Sequence, residues 1–204
     1  MGKPYDPRDA YYRKAKQQNL RARSAFKIDE IQQRFRLVRP GDGVIDLGAA
    51  PGGFLQILAQ TVGPKGRVVG MDLVPIHALG GVVDTFADDV MNPALEGELR
   101  RRLGRPTADV LASDMAPKTS GIRDADEARS LNLATRALEL ASALVHPGGH
   151  FIAKVFMGGE FDVFFKAVKS AFEEARVVRP EATRSASREV YVVGFRRRAA
   201  PAKG

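Results

Sequence analysis

Residues 44–54 (VIDLGAAPGGF) read as a β-strand that runs into a glycine-rich turn and then into a helix. Val44 and Ile45 supply the β-branched strand, while Gly48, Gly52 and Gly53 let backbone approach a ligand without interference from a Cβ. Phe54 to Val62 carries apolar residues at helical spacing, so Gly52 and Gly53 fall at a helix N-terminus, where free amides bind carboxylate or phosphate oxygens. A second strand, Gly66 to Asp72, follows at once and ends in a carboxylate 24 residues after Gly48. A carboxylate at that strand end is where a nucleoside ribose is commonly gripped. Strand, turn, helix and acidic strand end together imply an α/β fold that binds a nucleoside-containing cofactor.

The glycine spacing narrows the choice. Gly48-x-x-x-Gly52-Gly53 is not the G-x-G-x-x-G of dinucleotide enzymes, and no G-x-x-x-x-G-K-[ST] phosphate loop occurs in the chain. Asp46-x-Gly48-x-x-x-Gly52 instead resembles the first motif of Rossmann-like S-adenosylmethionine-dependent methyltransferases. That resemblance implies a turn running past the methionine moiety and Asp72 accepting hydrogen bonds from the ribose hydroxyls.

Composition removes several classes. At 204 residues the chain is expected to form one methyltransferase domain, residues 1–204, with a substantial core. It has no cysteine, which rules out disulfides and thiolate zinc sites and suits a reducing compartment. His77, His146 and His150 are too few and too scattered for a metal cage, so no metal is expected. The N-terminus lacks the apolar core of a signal peptide, and no run of 18 apolar residues occurs. A soluble, cytoplasmic protein with no membrane contact and no obligate protein partner is the expectation.

Charge is unevenly spread. Residues 1–40 hold eleven Lys or Arg against four Asp or Glu, and residues 176–204 hold eight against two. The middle, 41–175, holds thirteen against eighteen. An acidic body between two basic ends points to a polyanion held across the ends, and a nucleic acid fits best. Residues 1–23 are read as a basic, RNA-facing lead-in and residues 197–204 as a frayed tail.

The remaining pattern alternates strands and helices. Ser24 is placed to cap a helix over Ala25–Phe35, and Arg39–Asp42 to end it. Further strands are predicted at Val82–Phe86, Ala108–Asp114, His150–Phe156, Arg176–Val178 and Glu189–Phe195. Helices are predicted at Pro93–Leu103, Asp126–Val145, and from Phe161 to about Ala175. Such alternation calls for a mostly parallel sheet with helices on both faces, and a ligand outside the C-terminal strand ends. Phe161, Phe164 and Phe165 follow helical spacing and are read as core rather than as base-stacking aromatics.

Three charged residues stand where a core pattern would exclude them. Lys154 interrupts the apolar strand Phe151–Phe156, where a lone buried ammonium is costly. Asp114 ends the strand 110–114 and is expected at the same crevice edge as Asp46 and Asp72. Glu189 opens the last strand, directly after Arg188. From the residues alone, Lys154 and Asp114 read either as a structural salt bridge or as reactive groups.

Four segments together resemble the FtsJ/RrmJ-type ribose 2′-O-methyltransferases. They are residues 20–30 (LRARSAFKIDE), 46–53 (DLGAAPGG), 113–117 (SDMAP), and 154–156 (KVF) with 187–191 (SREVY). The resemblance runs from about Tyr11 to Gly194. It implies a Lys-Asp-Lys-Glu catalytic tetrad formed by Lys27, Asp114, Lys154 and Glu189. It further implies contacts to S-adenosylmethionine from Gly52, Phe54, Asp72, Asp89 and Asp114, with Asp89 at the adenine edge. Two departures stand out: Phe54 occupies a place where bacterial members often carry tryptophan, and Asp88 one where glycine is common.

The residue types suit the chemistry. A ribose 2′-hydroxyl must be aligned in line with the methyl of a sulfonium and must lose one proton. No histidine matches a suitable position; a lysine serves where burial and nearby positive charge favour its neutral amine, and the sulfonium is such a charge. Lys154 is thus the expected base or oxygen-orienting group, with Asp114 orienting it and Lys27 and Glu189 holding the ribose and its phosphate. Residues 29–33 and the short N-terminus resemble those of bacterial ribosomal RNA enzymes, and that resemblance implies large-subunit ribosomal RNA as substrate, at a uridine. Residues 8–13 (RDAYYR) are instead reminiscent of enzymes of the transfer RNA anticodon loop. A nicotinamide oxidoreductase is disfavoured by the glycine spacing, and a non-catalytic RNA-binding factor by the complete tetrad.

Overall fold

The computed structural model describes residues 10–185 and 187–199; the first nine residues, including Arg8 and Asp9 of the 8–13 stretch, and residues 200–204 lie outside the described residues. The chain runs α1 (Ala10–Gln17), α2 (Ala25–Phe35), β1 (Gly43–Leu47), α3 (Gly53–Val62), a short 3₁₀ turn (Gly63–Lys65), β2 (Arg67–Asp72) and β3 (Val83–Ala87). It continues through α4 (Leu95–Leu103), β4 (Ala108–Ser113), α5 (Arg123–Leu144), β5 (Val145–Phe156), α6 (Phe161–Ala171), β6 (Phe172–Val178) and β7 (Glu189–Arg197). The strands form one seven-stranded sheet in the order β3-β2-β1-β4-β5-β7-β6. The β1, β2, β3, β4 and β5 pairings are parallel, while β7 runs antiparallel to both β5 and β6. This is the expected mostly parallel Rossmann-like sheet, with the topological switch between β1 and β4.

The continuous apolar strands are explained by burial on two faces. All five residues of β1 are buried. Ile45 and Leu47 join a core with α4, α5 and α6, whereas Val44 joins a second core with Ile28 and Ile31 of α2 and Leu55 and Leu58 of α3. The switch point therefore sits between two filled cores, which holds the ends of β1 and β4 rigid.

Four local readings change. Ser24 is already in helical geometry and its side chain makes no capping bond; it packs against Gly53, where an added Cβ would lie 2.9 Å from the Ser24 Oγ. Helix α2 ends at Arg36, which takes the left-handed conformation itself (φ 51°), before the Arg39–Asp42 turn is reached. The four residues 146–149 belong to β5 as an outward loop in its ladder: Ala108 pairs with Val145 and Val110 with His150. Helix α6 stops at Ala171 rather than near Ala175, because Phe172 is extended, fully buried, and stacked on Phe151 at 5.7 Å. Tertiary packing there outweighs the helical propensity of residues 173–175.

The basic ends are partly ordered. Helix α1 lies within the lead-in, with Tyr11 against Phe26 at 5.7 Å and the Lys14 ammonium over the same ring. Arg197 ends β7 and the Arg198 amide donates to the Ala171 carbonyl at 2.8 Å, so residues 197–199 are not a frayed end. Among the described residues no helix is long and apolar enough to cross a membrane.

Candidate active site

The C-terminal ends of β1, β2 and β4 open on a cleft of about 370 Å³, lined by Gly48, Ala50, Asp72, Asp89, Asp114 and Lys154 among others. Gly48 makes its floor out of backbone. Its φ is +74°, and a Cβ there would meet the Met115 amide nitrogen at 2.7 Å, so only glycine lets the first turn close on the end of β4. Asp72 accepts the Ala50 amide at 2.9 Å and the Val74 amide at 3.3 Å, which fixes its carboxylate on the cleft wall. Met71, Leu73, Val90, Met115 and Leu133 add an apolar side. An apolar slot with a carboxylate at the end of β2 suits a nucleoside.

The paired acids after β3 divide their work. Asp88 is tied up by the Asn92 side-chain amide (3.0 and 3.1 Å) and by the Asp89 amide (2.7 Å). Asp89 uses one oxygen on the Met91 amide (2.9 Å) and keeps the other without a protein partner among the described residues. Asp89 is thus the more available of the two.

The four tetrad residues come from four elements and meet as two ion pairs. Lys154 on β5 lies 3.0 Å from Asp114 Oδ1 and also donates to the Asp114 carbonyl. Lys27 on α2 pairs with Glu189 at the start of β7. Tyr191 joins the pairs: its hydroxyl donates to Asp114 Oδ1 at 2.5 Å, and the Lys27 ammonium sits over its ring at 5.8 Å. The register explains the meeting, since Lys154 lies directly opposite Tyr191 across the β5–β7 ladder. The salt bridge expected between Lys154 and Asp114 exists, and it lines the cleft. Lys154 spends two N–H donors on Asp114, and the third has no protein partner among the described residues.

The electrostatics are lopsided. Asp46 is completely buried rather than at the crevice edge, and neither of its carboxylate oxygens has a hydrogen-bond partner among the described residues. Burial first, then the charges of Asp114 and Asp72, push its carboxyl well above the usual range, and Lys154 opposes this. Burial, the Asp114 and Glu189 charges and the hydrogen bond to Asp114 likewise hold the Tyr191 hydroxyl well above its ordinary value, so it stays a donor. Asp72, Asp89 and Asp114 line the cleft against the single ammonium of Lys154, a balance that fits a ligand bringing positive charge.

Asp72, Asp89, Asp114 and Lys154 line the cleft as expected, but Gly52 and Phe54 do not. Gly52, at φ +110°, starts α3 beneath Arg21, whose Cδ would lie 2.9 Å from an added Cβ. Phe54 is buried and stacked on Tyr191 at 6.2 Å, so it braces the tetrad from below. Arg21 donates to the carbonyls of Pro51, His77 and Ala78, clasping the first turn to the loop after β2. Arg23 reaches the Ala182 carbonyl in the loop before β7. Tyr191 is a site residue that the charge pattern does not single out; its place two residues after Glu189, on the same face of a strand, is the one local signal for it.

The description "FtsJ-like methyltransferase" matches residues 20–197. The chain is 58% identical over 200 residues to ribosomal RNA large subunit methyltransferase E of Myxococcus xanthus, covering 98% of this chain and 93% of the relative. It is 54% identical to the protein of the same name in Anaeromyxobacter sp. (strain Fw109-5), over all of this chain and 74% of the relative. In fold it is similar to a ribosomal RNA methyltransferase of Plasmodium falciparum, with a TM-score of 0.78 at 19% identity over 88% of this chain and 100% of the other.

Proposed function

The chain belongs to the FtsJ-like methyltransferase family, and from that premise we propose that it methylates a ribose 2′-oxygen of large-subunit (23S-type) ribosomal RNA in the cytoplasm, at a uridine, with S-adenosylmethionine as donor. One observation carries the chemical part: two buried ion pairs joined through Tyr191, open on a cleft that suits a nucleoside. The names of the relatives support the RNA class. The basic lead-in and the last turns of β7 are the surfaces on which this reading seats the RNA.

Asp72 would hold the cofactor's ribose, Asp89 its base, and Gly48 and Asp114 its methionine end. The surplus of acids that line this wall fits its cationic end. When bound, S-adenosylmethionine supplies an electrophilic methyl on a sulfonium. The chain's own groups do the rest. Lys154 orients the 2′-oxygen; as one of its protons passes to Asp114 Oδ1, its nitrogen gains the lone pair that accepts the hydroxyl proton, so the pair ends with one more proton, held on Asp114. Tyr191 keeps Asp114 in place for that exchange. Lys27 and Glu189 steady the ribose and the neighbouring phosphate.

The test is a map of ribose methylation in total RNA from cells with and without this gene, backed by labelled methyl transfer to isolated large-subunit RNA. One 2′-O-methyl lost from large-subunit RNA is expected. A loss confined to a transfer RNA anticodon loop would overturn the substrate, and no transfer to any RNA would overturn the reaction.

A further inference from the structure

Beside the tetrad, and separate from the cofactor cleft, the sheet edge carries a second cavity of about 240 Å³. Its walls are Glu127 and Leu131 of α5, Phe156 at the end of β5, the Gly158–Glu160 turn, and Phe161 of α6. Two features of the register fasten it to the catalytic residues. Phe156 is the direct cross-strand partner of Glu189, so their Cα atoms lie about 4.5–5.5 Å apart. Glu127 is ion-paired with Arg188, the chain neighbour of Glu189, and the Met157 amide donates to the Arg188 carbonyl at 3.1 Å. Lys154 lies two residues back along the same strand, roughly 7 Å away. A nucleotide whose 2′-oxygen rests on Lys154 therefore has its base within reach of this cavity.

The lining limits what can enter. Phe156, Phe161 and Leu131 offer apolar faces, and Met157, between two lining residues, is half exposed. Glu127 is neutralised by Arg188 and by Arg123 at 3.0 Å. Asp124 and Glu160 also line the cavity and have no ion-pair partner among the described residues. Carboxylates repel a phosphate but accept hydrogen bonds from a ring N–H. The volume is below that of sites for drug-sized ligands, about 300–1,000 Å³, and suits one planar heterocycle. RNA-reading proteins recognise splayed bases by this combination of apolar stacking and edge hydrogen bonds.

We propose that this cavity receives the base of the nucleotide being methylated, stacked against Phe156 and Phe161, with its ring N–H given to Glu160 or Asp124. Uracil and guanine carry a ring N–H on their pairing edge; cytosine and adenine do not. The cavity thus selects the target by its base while the tetrad acts on its sugar. This inference rests on the reading of the chain as an RNA ribose methyltransferase.

The test fills the cavity without disturbing the tetrad. A Cβ on Gly159 meets nothing within 4 Å and its φ is not positive, so Gly159→Leu fits the fold. Ala128→Phe adds bulk on the exposed side of α5, and Glu160→Gln changes charge alone. Each is assayed on a large-subunit RNA fragment carrying the mapped nucleotide, and on the same fragment made abasic there. On normal RNA the two filling variants should lose about tenfold or more in kcat/KM, the size of one lost base stack, and Glu160→Gln a few-fold. Cofactor affinity and melting temperature should match the parent, and on abasic RNA all variants should equal the parent. A filling variant of parental stability that keeps parental kcat/KM on normal RNA overturns the proposal. An equal loss on abasic RNA also overturns it, by showing a merely structural effect. If a filling variant melts early, the double variant Asp124→Asn/Glu160→Gln decides: parental kcat/KM on both RNAs overturns the proposal. A parent that methylates no RNA sinks the enzyme reading instead, and the occupant of the cavity with it.

Discussion

Replacing Lys154 by methionine keeps the apolar stem inside β5 and removes only the ammonium. In the folded protein that ammonium makes two bonds to Asp114, one to the carboxylate at 3.0 Å and one to the carbonyl, from a side chain that is 7% exposed. Breaking a buried ion pair from one side costs about 3–5 kcal/mol. Two features set the lower end here: Asp114 remains 15% exposed, and it keeps the Tyr191 hydroxyl at 2.5 Å. A loss of about 3 kcal/mol lowers the melting temperature of a chain of this length by roughly 6–12 °C. Methyl transfer should fall by about 10²-fold or more, the usual share of a positioned acid or base. Thermal unfolding, cofactor calorimetry and single-turnover transfer are to be read on one preparation. Adding Asp114→Asn should restore much of the stability, because the orphaned charge is gone, but none of the rate. A folded, cofactor-binding Lys154→Met protein that still methylates RNA near the parental rate would refute the catalytic role.

Asp72→Ala should weaken cofactor binding by about 1.5–3 kcal/mol through loss of a charged acceptor, with RNA affinity little changed; unaltered cofactor calorimetry would remove Asp72 from the site. Tyr191→Phe should cost about 1–2 kcal/mol of stability and slow transfer; in a Lys154→Met background it should cost clearly more stability, because it then removes the last partner of the Asp114 carboxylate, and slow transfer little further; additive effects in that cycle would mean the two residues act separately. Arg21→Lys keeps the charge but loses the planar clasp on three carbonyls, so it should impair cofactor binding much as Arg21→Ala does and leave the salt slope of RNA binding unchanged. A flattened slope in Arg21→Ala alone would restore Arg21 to the RNA surface. Asp46 binds its proton more tightly folded than unfolded, so its contribution to stability is greatest in acid and declines as pH rises above its unfolded value near ~4. Asp46→Asn should flatten that decline between acid and neutral pH; parallel melting curves for parent and variant would contradict it.

The sequence by itself determined the fold class and the acids at the ends of the second and fourth strands, Asp72 and Asp114, because these follow from periods of two and 3.6 and from glycine spacing over short stretches, while the strand order came from the structure. Lys154, Asp114 and Glu189 were legible too, since charges in or at the ends of apolar strands violate the local pattern and must be explained by partners, whereas Lys27 was reached only through the resemblance to the FtsJ/RrmJ-type enzymes. What paired with what was not legible. Lys154 stands opposite Tyr191 only because β7 enters antiparallel between β5 and β6, a register set 37 residues downstream by how the sheet closes. Separation in sequence also hid the early end of α6, where Phe172 leaves the helix to stack on Phe151. It also hid the packing of Gly52 beneath Arg21 and of Phe54 on Tyr191. Local chemistry names the groups a site needs, but which face each one shows is decided by long-range packing, and that exists only once both cores have formed around the sheet.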